Sequence, residues 1–182
     1  MKIKIILLII ISSFTIYIIY NRYYEKTINI TSINSLNDQE NYNKFLSEYL
    51  SNTKLNYKLN IDFTNKDLEI ENLLAIIQNN EGQIQSILHD SEIIILSIGN
   101  IDYKTEDLKT IINEINKLFK LIRNLNNKQV FFVSPYKIKN TTQIKELCHK
   151  YNIIFLNGSS FQNKSFLLAQ LLTKKIANSW EK

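Results

Sequence analysis

A chain with one cysteine, Cys148, cannot close an internal disulfide. Cys148 falls on the apolar side of a predicted helix, which makes it a core residue rather than a thiolate nucleophile. Only two histidines occur, His89 and His149, well separated in sequence, so no metal cluster is expected. Glycine is nearly as scarce. None of the three precedes Gly82, so neither common phosphate-binding glycine loop can follow the first strand, and no flavin, dinucleotide or other cofactor is expected. A concentrated basic stripe is missing too: setting aside Lys2 and Lys4 leaves 20 basic against 17 acidic side chains, interspersed. Nucleic acid is therefore not an expected partner. The shortage of glycine and proline beside abundant Asn, Ile, Lys and Tyr reads as nucleotide-composition bias and says little about function.

What the sequence does have is a long apolar run at its start. Lys2 and Lys4 precede Ile5 to Tyr20, which carries no charge, and Arg22 follows. As a helix this run is about 24 Å long against a hydrocarbon layer of about 30 Å, a gap that snorkelling lysine and interfacial tyrosine close. No small-x-small cleavage site and no nearby cysteine follow it, so a retained signal anchor over residues 1–22 is the expectation. A signal cut at an unconventional site and a buried helix are the alternatives. The basic residues flank it almost evenly, with a slight bias for the N-terminus inside and the domain outside the cytoplasm. Residues 23–26 make a short tether, and 27–182 suffice for one domain.

Along that domain, strand and helix patterns alternate. Strands are predicted around Ile28 to Ile33, at Lys54 to Phe63 from the alternation of Leu55, Tyr57, Leu59 and Ile61, and at Ile93 to Ile98, Val130 to Val133 and Ile153 to Leu156. The unbroken apolar runs of the third and fourth suit strands covered on both faces. Between them fall helices: one capped near Asn37 or Asp38, one through Ile70, Leu73, Leu74 and Ile77, a brief turn ending at His89, and a long one from Thr105 to Asn124. Another runs from Asn140 to Tyr151, with Asn140 and Gln143 as a capping box, and the last from Ser165 to Trp180. The expected fold class is α/β, a flavodoxin-like three-layer sandwich around a five-stranded parallel sheet, preceded by the single transmembrane helix.

Ligands in such sheets bind at the carboxyl ends of the strands, which draws attention to Ile33 to Asp38, Asp62 to Glu69, Gly99 to Lys104, Ser134 to Asn140 and Asn157 to Lys164. The third of these overlaps Glu92 to Asp102, EIIILSIGNID, which resembles the strand and Gly-x-Asn-Asp loop of the SGNH or GDSL-type hydrolases. The resemblance covers residues 27 to 177, and LHDSEIIILSIG after a helix ending in QNN is similar to a bacterial, membrane-anchored branch of that family. It implies a flavodoxin-like sheet, a serine nucleophile, oxyanion donors from a glycine and an asparagine, and a late Asp-x-x-His that together cleave acyl esters. On this chain the Gly-Asp-Ser-Leu block falls on Ile33-Asn34-Ser35-Leu36, which keeps Ser35 and loses the glycine and the aspartate. The second-block glycine falls near Asp67. Gly99 and Asp102 remain in the third, but the amide position falls on Ile101, with Asn100 displaced by one. The late histidine and aspartate positions fall on Phe161 and Gly158, and no histidine follows His149.

A serine hydroxyl is a weak nucleophile without an oriented base beside it. His149, between Cys148 and Lys150, is expected to face solvent, and His89, before the central strand, to lie at the opposite end of the sheet from Ser35. Asp102 reads either as a helix cap or as a remnant of the site, and Ser35 either as a degenerate nucleophile or as part of a cap. The expectation is a membrane-anchored, extracytoplasmic domain of SGNH type without catalytic activity, which binds a protein partner or a cell-envelope glycan or lipid. The alternative is a divergent serine esterase using Ser35.

Overall fold

Apolar runs too short to be helices alternate here with helical stretches of seven to eighteen residues. Such a chain buries both kinds of element at once when the runs pair in parallel and the helices cross back over them. The computed structural model of the protein, which describes residues 27–36, 39–61, 68–98, 107–134, 141–161 and 164–180 together with Ser13, has this arrangement. Five strands, β1 (Ile28–Asn34), β2 (Tyr57–Asn60), β3 (Ile93–Ser97), β4 (Gln129–Val133) and β5 (Ile154–Leu156), form one parallel sheet in the order β2-β1-β3-β4-β5. That order is consistent with a flavodoxin-like sheet. All carboxyl ends therefore lie along one edge and all amino ends along the other.

Among the described residues six helices cover both faces. Helices α1 (Gln39–Ser51) and α6 (Ser165–Trp180) lie on one, where Tyr42, Leu46, Leu50, Leu168, Leu172 and Ile176 pack on Ile30, Ile95, Phe131 and Val133. The other carries α2 (Ile70–Gln78), α3 (Ile84–Asp90), α4 (Leu108–Leu125) and α5 (Thr142–Lys150), packed on Ile33, Ile94, Leu96, Val130 and Phe132. Every residue of β3 is buried, as its unbroken apolar run requires. In α4, Ile111, Ile115, Leu118, Phe119 and Ile122 form the buried stripe. Phe119 stands edge-on to Phe132, ring centres 5.0 Å apart, and to Tyr151 at 6.1 Å. Full burial of a ring such as Phe119 or Phe132 contributes about 3 kcal/mol.

The structure departs from the sequence expectations at element ends. β2 is Tyr57–Asn60 within the expected Lys54 to Phe63: it starts opposite Ile28, the first residue of β1, so the residues before Tyr57 have no strand to pair with, while Asp62 and Phe63 lie outside the described residues. Helix α4 begins at Leu108, where Asp107 is the cap; its carboxylate accepts the Thr110 N–H at 2.9 Å. Helix α5 begins at Thr142, so Thr141 and not Asn140 precedes its first turn, and Thr141 makes no capping bond with its side chain. In a chain poor in glycine, Asn80, Gln83 and Asn152 take left-handed backbone conformations beside Gly82, a conformation that asparagine tolerates better than most residues.

Among the described residues no helix is long and apolar enough to cross a membrane. The predicted span Ile5 to Tyr20, apart from Ser13, and the tether 23–26 lie outside them.

Candidate functional site

At the carboxyl edge of the sheet β3 ends in Ser97, and β1 and β4 are each followed directly by a serine, Ser35 and Ser134. Asn34 pairs in register with Ser97, and the Ser35 N–H donates to the Ser97 carbonyl at 2.8 Å. The backbone bond extends the β1–β3 ladder one residue past the strand and fixes Ser35 against β3. Alternation along β1 puts Ser32 and Asn34 on the α1/α6 face, where the Asn34 amide donates to the Asn43 side chain on α1 at 3.2 Å. One strand over, Ser134 is held by β5: its N–H donates to Leu156, and its Oγ accepts from the Gly158 N–H at 3.0 Å.

Ser35, the expected nucleophile position, is completely buried. Its Oγ has no hydrogen-bond partner among the described residues, and the same holds for Ser32 and Ser97. The expectation that Ser35 helps cap the following helix is not met by any such bond. Burial of an unpartnered hydroxyl costs about 1–3 kcal/mol, whereas the buried Thr31 hydroxyl, on the same strand, shares a 2.7 Å bond with Ser91.

Neither histidine approaches Ser35. His89 ends α3 just before β3 and is exposed, with Nδ1 3.0 Å from Asp90. His149 is in the last turn of α5, just before β5, and is exposed as well. Both therefore sit at the amino edge, separated from Ser35 by the length of a strand, about 16 Å for five residues. At the carboxyl edge, Phe161, which the sequence resemblance sets at a late histidine position, ends a short 3₁₀ turn after β5 and packs with the α1/α6 core. Gly158, at the aspartate position, opens that turn and is buried.

No family model matches the chain, and no curated protein does.

Gly99, Asn100, Ile101 and Asp102, expected at the oxyanion-like loop, lie outside the described residues, as does Asp67. Among the described residues no group of three or more His, Cys, Asp or Glu side chains could hold a metal ion. Cys148 is buried under α5, and burial pushes its thiol up to about 12, so it is neither nucleophile nor ligand at neutral pH.

Sequence reading missed a polar cluster at the amino edge. Arg123, in the last turn of α4, donates from Nε to the Tyr151 carbonyl at 2.6 Å, from Nη1 to Lys128 at 2.6 Å and Asn126 at 3.3 Å, and from Nη2 to Asn152 at 2.5 Å. Asn126 donates to the Leu88 and Ser91 carbonyls and accepts from the Lys128 N–H. Glu92 is buried, accepts the Asn29 N–H at 2.8 Å and lies 3.4 Å from the Lys128 ammonium. The signal available was Arg123 at a helix end followed closely by Asn126; each reads alone as an ordinary terminus.

Proposed function

We propose that residues 27–182 form a flavodoxin-like domain of SGNH-hydrolase type that has lost hydrolytic function and serves as a binding or scaffolding module. In this reading Ile5 to Tyr20 anchors it in a cell membrane with the domain outside the cytoplasm, and its partners are a protein or a glycan or lipid of the cell envelope. The supporting observation is the state of Ser35: its hydroxyl is sealed in the sheet edge without a partner among the described residues, and both imidazoles stand at the other edge. A serine so placed has no proton acceptor among the described residues, and the phenyl ring of Phe161 cannot supply one.

The test is turnover of short-chain acyl esters by the full chain in detergent. The expected result is no hydrolysis above the uncatalysed rate, with Ser35→Ala leaving stability unchanged or raising it by about 1 kcal/mol, since it removes a buried orphan hydroxyl. Hydrolysis that Ser35→Ala abolishes would overturn the proposal and establish a divergent serine esterase.

A further inference from the structure

Because the sheet is parallel, the segments that lead from each helix into the next strand gather at the amino edge, and α6 also ends there. This edge carries Lys54 between α1 and β2, Lys128 before β4, and Lys150 at the end of α5, all exposed. It also carries Trp180, the only tryptophan of the chain. Trp180 and Lys128 line one shallow depression of about 330 Å³ with Glu92, Gln129 and Ser179. The Lys150 ammonium lies 5.0 Å from the centre of the Tyr151 ring. Of the acids at this edge, Glu92 bonds the Asn29 N–H and Lys128, Asp90 lies 3.0 Å from the His89 imidazole, and Glu48 in the last turn of α1 is exposed.

Lys150 and His149 fit a plainer role at the negative end of the α5 dipole. Lys54 does not, since it lies in a loop; Lys128, also in a loop, shares its ammonium with Glu92 at 3.4 Å. Aromatic rings set beside lysines are the side-chain combination that sits at the headgroup level of a bilayer.

Chain length points to the occupant. From Arg22 at the end of the predicted span to Thr27 the backbone reaches at most about 18 Å, and β1 starts at Ile28. The amino edge is thereby held within about two Debye lengths of the headgroups. A tether this short keeps the local concentration of the surface in the millimolar range, so weak contacts suffice. Resting on the reading of Ile5 to Tyr20 as a membrane anchor, we infer that the amino edge docks on the anionic lipid headgroups of the anchoring bilayer. Trp180, Lys54, Lys128 and Lys150 make the contact, and the carboxyl edge with Ser35 points away.

Trp180 reports on this directly in the full chain reconstituted into vesicles that carry a spin label on the headgroup. The expected result is several-fold stronger quenching of Trp180 with phosphatidylglycerol present than in phosphatidylcholine alone. Quenching falls to the phosphatidylcholine level in the combined variant Lys54→Gln, Lys128→Gln, Lys150→Gln, and stays unchanged in Lys164→Gln at the opposite edge. Flotation with the vesicles in high salt reads the anchor separately. A protein that floats but shows equal quenching in both lipids overturns the docking alone; one that does not float overturns the anchor and the docking together.

Discussion

Arg123 holds together three pieces of chain that meet only in the folded protein. Its guanidinium bonds carbonyls of the α4–β4 turn and of the turn into β5, and burial pulls it below its ordinary pKa while leaving it charged at neutral pH. Arg123→Ala leaves four carbonyls without this donor and is expected to lower unfolding free energy by about 3 kcal/mol in urea titrations. Arg123→Lys should recover a minor part, because an ammonium cannot span acceptors set out for a planar fork. The residue was not legible as a keystone in the sequence. Its spacing marks a helix end, but the Tyr151 and Asn152 carbonyls come from a turn that only the β4–β5 pairing brings close. Ser35 shows the same limit: its place at the end of β1 was readable, while its burial accompanies a backbone bond to Ser97, a residue distant in sequence.

Elements were legible where one signal decided them. The apolar runs of β3 and β4 and the stripe of α4 have one low-energy arrangement each, and the structure has them close to the expected residues. Ends were less legible, because caps and strand partners decide them. At α4 the deciding group is the Asp107 carboxylate, which the Thr110 N–H holds below the ordinary carboxylate value. A depressed folded pKa means that the ionised cap stabilises the helix in full above the unfolded carboxylate range and less as pH falls through the lowered value. The melting-temperature difference between the native chain and Asp107→Ala is therefore expected to shrink between about pH 6 and about pH 3. A difference independent of pH would show that the carboxylate charge is not what caps α4.

For the whole molecule, the one thiol is a gauge of opening. Cys148 is buried among Ile144, Ile153 and the α4 side of the core, with its thiol raised to about 12. At about pH 8 an aromatic disulfide reagent should leave the native protein unlabelled and modify one equivalent after unfolding. Under native conditions its rate should follow global unfolding across a urea series; fast labelling without urea would mean that α5 opens alone.

The sheet order has a further consequence, for biosynthesis. β1 leaves the ribosome first, yet it lies between β2 and β3, and its contact with β3 sets Ile30 against Ile93. Until that later segment emerges, the nascent chain cannot complete its own centre, and the Ile93 to Leu96 run then appears before β4 exists to cover its other side. Strongly apolar strands waiting on distant partners are the segments that chaperones shield.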